Sequence, residues 1–170
     1  MTTPLARSPF STPTEPARGP RADLSVSCRL AEGQEERELH HRIREEVFVR
    51  EQRFFEEGDQ DEHDGAVDTL LILGFCGTTA AGAVRAYPLD DEGGWKGDRL
   101  AVLPAFRPFR LGAPLVRCAV RSAAERGGTR MIAYVQPQNV AFFERLGWVA
   151  HGEVATYVDR PHQRMEIGLS

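Results

Sequence analysis

The sequence predicts an α/β fold in which a mixed, mostly antiparallel sheet of about six to seven strands carries helices on both faces. Two observations support this prediction. Several short apolar runs, bounded by turn residues or alternating with polar residues, are typical of strands, whereas two stretches with apolar residues three and four positions apart are typical of amphipathic helices. Three strand patterns in a row, joined by short turns, also indicate an antiparallel meander.

The first half of the chain contains a strand, a helix and the meander. Alternation over residues 24–28 predicts the first strand, and apolar side chains four positions apart, from Leu39 to Val47, predict a helix that begins near Gln34. The polar loop 57–65 ends this unit. The predicted strands of the meander cover residues 69–75, 80–87 and 95–102.

The second half of the chain alternates helices with strands. A helical stripe from Leu111 to Ala123 ends at Gly127 and Gly128, and Asn139 is the predicted N-cap of a short helix that ends near residue 146. The remaining predicted strands cover residues 131–135, 148–157 and 162–169.

The composition bounds the class of protein. The chain has 170 residues, of which 41% are apolar and 27% charged, and its formal charge of -4 provides no general attraction to nucleic acid or an anionic membrane. Five prolines within residues 1–22 predict a disordered tail, so the folded domain is expected to span residues 23–170. Cys28, Cys76 and Cys118 have no metal-ligand spacing, which favours reduced thiols in a cytoplasmic protein without a metal.

A predicted strand, a short loop and a helix start follow one another within residues 100–114. The first turn of a helix presents free N–H groups and the positive end of its dipole, which suit a pyrophosphate. Gly112 and Ala113 allow a ligand to approach the backbone closely, and Arg107 and Arg110 can add charge. Taken alone, this pattern is explained equally well by a turn glycine without a ligand.

This segment resembles the acetyl-CoA signature of the GNAT superfamily of N-acyltransferases, Arg/Gln-x-x-Gly-x-Gly/Ala, preceded by a strand that ends in Leu-x-Val. Arg107 matches the first position and Gly112 with Ala113 the last, whereas Arg110 stands where the first glycine is usual. Residues 139–148 resemble a second family segment, which flanks the pantetheine arm. The resemblance implies a single GNAT-type domain that binds acetyl-CoA as co-substrate through Leu100, Ala101, Val102, Arg107, Pro108, Phe109, Arg110, Leu111, Gly112, Ala113, Pro114, Asn139, Phe142 and Phe143.

Two further segments narrow the resemblance. Residues 44–52 (Arg-x-x-Val-Phe-Val-x-Glu-Gln) and 161–165 (Pro-His-x-x-Met) are similar to the ElaA-like branch of GNAT proteins, and the first of these is shared with acyl-homoserine-lactone synthases. Together with residues 95–102 and 142–148, they resemble a bacterial group named for its association with nitrogen starvation. The resemblance does not identify the acceptor.

Direct acyl transfer to an amine requires a group that accepts the amine proton. Acidic residues at about the strand position of Asp98 commonly serve as this base in GNAT relatives, and simple alternation places Asp98 on one face with Lys96, Leu100 and Val102. An ion pair with Arg99 or another arginine is an equally good interpretation of this carboxylate.

His162 and Glu51 are the other catalytic candidates. The match to Pro-His-x-x-Met implies an acceptor-site role for His162, although a histidine at a strand start is often structural. Glu51 lies near the end of the first predicted helix, where capping or a surface ion pair is the alternative. Phe143 stands where GNAT enzymes often use a tyrosine to protonate the leaving thiolate, a role that Tyr134 or Tyr157 could take.

We assign no functional site to two polar stretches of the sequence. His40 and His41 lie among arginines and glutamates, which predicts a solvated helix face. The acidic loop 59–64 has Asp64 and Leu70 where an EF-hand requires glycine and glutamate, so the sequence argues against a calcium loop.

The leading hypothesis is an N-acetyltransferase that acts on a small-molecule amine, with neither nucleic acid nor a membrane as a partner. Monomer and homodimer both remain open. Phe143 motivates one alternative, a non-catalytic acyl-CoA sensor or partner subunit. Residues 47–52 motivate another, an activity like that of acyl-homoserine-lactone synthases.

Overall fold

The computed structural model describes residues 25–157 and 159–170. The predicted tail, residues 1–22, lies outside the described residues. The strands are β1 Val26–Leu30, β2 Leu70–Cys76, β3 Thr79–Pro88, β4 Gly94–Val102, β5 Arg130–Val135, β6 Val149–Ala150, β7 Ala155–Tyr157 and β8 Arg160–Gly168. The helices are α1 Gly33–Arg44, continued by a π-helical turn Glu45–Glu51, α2 Gly112–Ala124 and α3 Val140–Arg145, with 3₁₀ turns at Glu62–Gly65, Pro104–Phe109 and Pro137–Asn139.

These strands form one sheet in the order β1-β2-β3-β4-β5-β8-β6, and β7 also pairs with β8. Within the described residues, β4 and β5 are parallel and the other strand pairs are antiparallel. The predicted α/β fold with a mixed, mostly antiparallel sheet is therefore confirmed, with eight strands.

Helices cover both faces of the sheet, as predicted. On one face α1 and the π-helical turn pack Ile43 and Val47 against β2, β3 and β4. On the other face α2 and α3 cover the larger core, where Leu111 and Leu115 of α2 are fully buried. Complete burial of a leucine contributes about 1.5–3 kcal/mol, so these contacts hold α2 firmly on the sheet.

The start of α2 approaches the sheet closely because two strand residues lack side chains. A Cβ atom at Gly74 or Gly82 would lie 2.8 Å from Cδ2 of Leu111, which is closer than packed carbon atoms allow. Glycine at these two positions lets Leu111 sit directly on β2 and β3. The position of the first turn of α2 is thereby determined by packing.

The prediction of a solvated helix face for His40 is wrong. His40 is fully buried, and its Nε2 donates a hydrogen bond to the carbonyl oxygen of Val84, 3.0 Å away. Burial lowers the pKa of His40 to about 3, so the ring is neutral in the folded protein. The buried side of α1 includes His40 and Arg44 beside Ile43, whereas His41 is only partly buried. The apolar residues alone therefore underestimated the buried face of α1.

The last part of the chain also departs from the prediction. Residues 148–157 do not form one strand, because Gly152 adopts a φ of 73° and divides the segment into β6 and β7, which pair with different parts of β8. Asn139 does occupy the N-cap position of α3, but its side chain makes no capping hydrogen bond. In the described part of the chain, the helices are too short or too polar to span a membrane.

Candidate active site

A cleft opens where the two parallel strands of the sheet separate. The β4–β5 ladder joins Gly94–Lys96 to Arg130–Ile132, and the strands diverge beyond it. Opposite β3, β4 contains one extra residue between Asp98 and Ala101, and Arg99 adopts a φ of 54° there. Such a bulge bends a strand and ends its pairing on one side. The edges of β4 and β5 therefore face each other across a gap.

The bulge also corrects the predicted alternation along β4. Leu100 and Val102 pack on the α2 side of the sheet, whereas Ala101 packs on the α1 side. Asp98 lies on the α1 side, against Arg85. The prediction that Asp98 shares one strand face with Leu100 and Val102 is wrong, because one extra residue reverses the side-chain alternation beyond it.

The cleft has a volume of about 190 Å³. Its walls come from β4, β5, α2, α3 and the segment 48–55. Of the predicted site residues, the cleft brings together Asp98, Leu100, Asn139, Phe143 and His162.

Several cleft residues lie outside the predicted binding and catalytic set, although the sequence indicates Tyr134 or Tyr157 as a possible proton donor in place of Phe143. Tyr134 and Tyr157 stack on each other with ring centres 5.1 Å apart, and both line the cleft. Phe48, Phe54 and Phe55 form an aromatic wall. Aromatic residues at strand ends and just after a helix were the available signal, but their direction depends on the β4–β5 separation, which the local pattern does not reveal.

His162 has the geometry of a proton acceptor. Its side chain is buried in the cleft wall, with its ring edge-on to Phe54 and Tyr157 at centre distances of 5.9 and 5.3 Å. Nδ1 lies 3.0 Å from the carbonyl oxygen of Arg160, and because a carbonyl only accepts, Nδ1 carries the proton of the neutral ring. Nε2 therefore keeps its lone pair.

Asp98 forms the ion pair that was the alternative to a catalytic role. Nε and Nη2 of Arg85 donate to its two carboxylate oxygens over 2.8 and 2.7 Å. Both carboxylate oxygens of Asp98 are thereby occupied by one buried guanidinium, which leaves them poorly placed to bind a substrate amine. The catalytic role of Asp98 stays a prediction, and the ion pair with Arg85 argues against that role.

This pair belongs to a larger charged group, the Arg–Asp cluster, which comprises Arg44, Arg85, Arg99, Asp59, Asp61, Asp64 and Asp98. Arg44 and Arg85 are fully buried in its centre. Arg44 contacts Asp59 and Asp64 over 2.6 Å each, and Arg85 contacts Asp61 over 2.6 Å.

The cluster explains the acidic loop 59–64, whose aspartates lie on the arginines of α1 and β3. Burial acts to raise the pKa of Asp64, but hydrogen bonds from Arg44 outweigh it and hold that pKa below its usual range. Burial also acts to raise the pKa of Asp61, but the hydrogen bonds and charge of Arg85 outweigh it, so the pKa of Asp61 is lowered. These carboxylates are charged at neutral pH and bind the loop to the sheet.

Glu51 and Arg107 pair with each other outside the cleft walls. Oε1 of Glu51 accepts from Nη2 of Arg107 over 2.5 Å, and the two side chains are 31% and 46% exposed. Arg107 also donates from Nε to the carbonyl oxygen of Val102 over 3.2 Å. This is the surface ion pair that was the alternative for Glu51.

The start of α2 has the free backbone groups that were predicted. Arg110 adopts a left-handed conformation with a φ of 56° and a ψ of 48°, which turns the chain into the helix. No side chain of the described residues caps this end of α2, and Pro114 has no N–H. The side chain of Leu111 lies in the core, so only its backbone can meet a ligand. Phe142 lies beside Gly112, with its Cζ 3.4 Å from where a Cβ would be.

Residues 34–148 match the Acetyltransferase (GNAT) family. The uncharacterized N-acetyltransferase YjcF of Bacillus subtilis (strain 168) is 29% identical over 119 residues, which are 70% of this chain and 82% of YjcF.

Two solved structures share the fold. Escherichia coli ElaA is 21% identical with a TM-score of 0.72, over 84% of this chain and 98% of ElaA. An acyl-CoA N-acyltransferase from Pseudomonas aeruginosa is 28% identical with a TM-score of 0.69, over 84% of this chain and 98% of that protein. The family match covers β2 to β5, which include both strand edges of the cleft, and the start of α2. The chain therefore belongs to the GNAT family of acetyltransferases and is an acyltransferase.

Proposed function

We propose that this acyltransferase moves the acetyl group of acetyl-CoA directly to the amine of a small molecule, in the cleft between β4 and β5. The observation that carries the proposal is the separation of these strands beyond Lys96 and Ile132. An extended ligand with amide groups can pair with the exposed strand edges as an added strand does. The pantetheine arm of CoA is such a ligand.

The start of α2 supports the placement of the pyrophosphate. In this proposal the N–H groups of Gly112 and Ala113 bind its oxygens, and the helix dipole adds to the attraction. Arg107 and Arg110 are exposed beside this turn and supply charge. The proposed binding set remains Leu100, Ala101, Val102, Arg107, Pro108, Phe109, Arg110, Leu111, Gly112, Ala113, Pro114, Asn139, Phe142 and Phe143, with Ala101 and Leu111 contributing backbone only.

We assign proton acceptance to His162. An alkylamine has a pKa of about 10 and is mostly protonated at neutral pH, so it must lose a proton before it attacks the thioester. Nε2 of His162 has a free lone pair in the cleft wall, whereas Asp98 is held by Arg85. Glu51 is paired with Arg107 outside the cleft walls, so His162 is the best proton acceptor of the three predicted residues.

The aromatic wall of the cleft indicates the chemical class of the acceptor. Phe54 and Phe55 line the cleft near His162, and the guanidinium groups of Arg160 and Arg99 lie 4.6 Å from their ring centres. Apolar surface of this kind binds an apolar or aromatic body better than a polar chain. We therefore propose an acceptor whose amine is attached to an apolar or aromatic group.

We also propose the narrower placement in the ElaA-like branch, nearest to the nitrogen-starvation group, because residues 95–102 and 161–165 carry that resemblance. A cytoplasmic location suits the free thiols of Cys28, Cys76 and Cys118.

Thermal unfolding with acetyl-CoA tests the donor site. At a ligand concentration a hundredfold above Kd, the wild-type protein should gain about 2.7 kcal/mol. Gly112→Glu should abolish the gain, because it adds bulk and negative charge where the pyrophosphate should bind. Arg117→Glu is the matched control, since it adds negative charge to the exposed side of the same helix. An unchanged shift in Gly112→Glu would remove the donor site from this segment.

Release of free CoA in the presence of an amine panel tests the transfer. Arylalkylamines should react faster than polyamines of similar length, in keeping with the aromatic wall. Binding of acetyl-CoA without CoA release across a broad panel would instead favour the non-catalytic sensor.

A further inference from the structure

The chain has a single lysine among its 21 lysine and arginine residues, and it lies at the cleft. Lys96 is the last residue of β4 that pairs with β5. Its Nζ lies 5.8, 5.3 and 5.1 Å from the ring centres of Tyr87, Tyr134 and Tyr157. Among the ion pairs of the described residues none includes Lys96, and its direct partners are these aromatic faces and one hydroxyl.

That hydroxyl belongs to Tyr157. Nζ of Lys96 donates to its oxygen over 3.2 Å, which leaves the hydrogen of the phenol free to be donated elsewhere. Stacking on Tyr134, with an angle of 17° between the rings, and the edge contact with His162 hold the Tyr157 ring in the cleft wall. The pair is thus an oriented proton donor beside a fixed positive charge.

Another aromatic residue of the cleft has no proton to donate. Phe143 is buried between Phe142 and Trp148 and has no hydroxyl, although its α3 position lines the cleft. We propose that Tyr157 donates the proton to the departing CoA thiolate and that Lys96 positions and polarises its hydroxyl. This role rests on the proposed acetyl-CoA-dependent transfer.

Nε2 of His162 first takes the ammonium proton of the acceptor and passes it to solvent. The neutral nitrogen then forms a bond to the thioester carbon, and the second proton that it loses passes to the same Nε2. The carbon–sulfur bond then breaks with its electron pair on sulfur, and Tyr157 gives its proton to that sulfur. The phenolate left behind is stabilised by the ammonium group of Lys96 until solvent reprotonates it, while His162 returns its proton to solvent.

The charge state of Lys96 suits this role. Burial acts to lower the pKa of Lys96, but the Tyr157 hydrogen bond and the nearby Tyr87, Tyr157 and Asp98 outweigh it, so the pKa is raised. Lys96 is therefore a stable cation and not a nucleophile that competes for the acetyl group. The rings of Tyr134 on β5 and His162 on β8 also contact the Tyr157 ring, and Arg160 on β8 is its strand partner.

The test is the rate of CoA release from acetyl-CoA with hydroxylamine, a small amine that is largely unprotonated at neutral pH and replaces the unidentified acceptor. Tyr157→Phe keeps the stacked ring and removes only the hydroxyl, and kcat should fall by about tenfold to a hundredfold. The expected loss is at the low end of general-acid effects because a thiol of pKa about 8.5 leaves fairly well unaided. Tyr87→Phe is the matched control, since it removes a hydroxyl beside the same lysine from a ring outside the cleft walls, and its kcat should stay within about twofold of wild type.

Lys96 is tested as a positioning residue through its separate effects on rate and on binding. Lys96→Met should lower kcat by about as much as Tyr157→Phe while the affinity for acetyl-CoA stays within about twofold of wild type, and it should cause little further loss when it is added to Tyr157→Phe. Lys96→Arg keeps a charged donor to the Tyr157 oxygen and should recover part of the rate.

The outcomes separate the two claims. If the wild-type protein turns over and Tyr157→Phe matches it in kcat, the role of Tyr157 is overturned while the proposed function stands. If the wild-type protein binds acetyl-CoA but releases no CoA above the uncatalysed rate with hydroxylamine or with any amine of the panel, the proposed function is overturned, and the role of Tyr157 with it.

Discussion

The Arg–Asp cluster and the cleft meet at Asp98 and Arg99 of β4, and they differ in how their polar groups are paired. On the α1 side, each aspartate of the Arg–Asp cluster meets at least one guanidinium, and Arg44 and Arg85 are fully buried. On the cleft side, Nε2 of His162 has no hydrogen-bond partner among the described residues, and the edges of β4 and β5 separate. The aspartates next to β4 in the cluster are thus all paired with arginines, whereas the cleft beside the same strand contains an unpaired proton acceptor.

The difference identifies which groups can react. A carboxylate between arginines is stabilised in one protonation state, so it resists the change that acid–base catalysis requires. An imidazole fixed at one nitrogen and free at the other can gain and lose a proton without moving. The cluster therefore determines where β4 and the loop 59–64 lie, and the cleft provides the chemistry.

Removing Arg85 should have the largest effect on stability. Arg85→Met leaves Asp61 and Asp98 in a buried site without their main partner, which should lower the free energy of unfolding by about 3–5 kcal/mol. Urea denaturation measures this loss. Arg50→Met is the control, because Arg50 pairs with Glu46 on the surface and should change stability by no more than about 0.5 kcal/mol. A loss below about 1 kcal/mol in Arg85→Met would mean that the cluster does not hold the α1 side together.

His40, which lies on the same α1 side, should make the free energy of unfolding depend on pH. This effect should be smaller than the loss expected for Arg85→Met. Its folded pKa of about 3 lies below the unfolded value of about 6.5, so the unfolded chain binds a proton that the folded protein excludes. Its contribution to stability is present above pH 6.5 and is lost as the pH falls toward 3, by about 2 kcal/mol between pH 6.5 and pH 5. Asp61 and Asp64, with lowered pKa values, lose their contribution only below the unfolded value of about 3.9.

Unfolding curves at pH 6.5 and pH 5 measure the effect of His40. His40→Gln keeps a donor for the Val84 carbonyl and removes the titration, so its stability should depend less on pH in this window. His151→Gln is the control, because His151 is exposed and should retain the wild-type slope. Equal slopes in all three proteins would show that His40 is protonated in the folded state.

The periodic parts of the fold were predictable from the sequence because each element buries one side. The stripe from Leu111 to Ala123 and the apolar run of β2 follow directly from burial. The segment 107–114 was also recognisable as a helix start, since a strand, a loop and a helix follow each other within a few residues.

The catalytic geometry was less predictable, for two physical reasons. A single extra residue at Arg99 reverses the side-chain alternation of β4, and nothing in the local composition marks it. The partner of Asp98 is Arg85 on the next strand, and the same guanidinium also binds Asp61 from a distant loop. Long-range pairing of this kind depends on the assembled sheet, so alternation alone could not separate an ion-paired carboxylate from a base.

The most direct test of the account compares His162→Gln with Asp98→Asn, using an alkylamine that the wild-type protein acetylates. If the cleft side performs the chemistry, His162→Gln should keep its stability and acetyl-CoA affinity while kcat/KM falls by about 10²–10⁴, with partial recovery at high pH. Asp98→Asn should instead lose stability and ligand affinity together, with no recovery at high pH. A selective, pH-rescued loss of kcat/KM in Asp98→Asn, with little change in His162→Gln, would contradict the account.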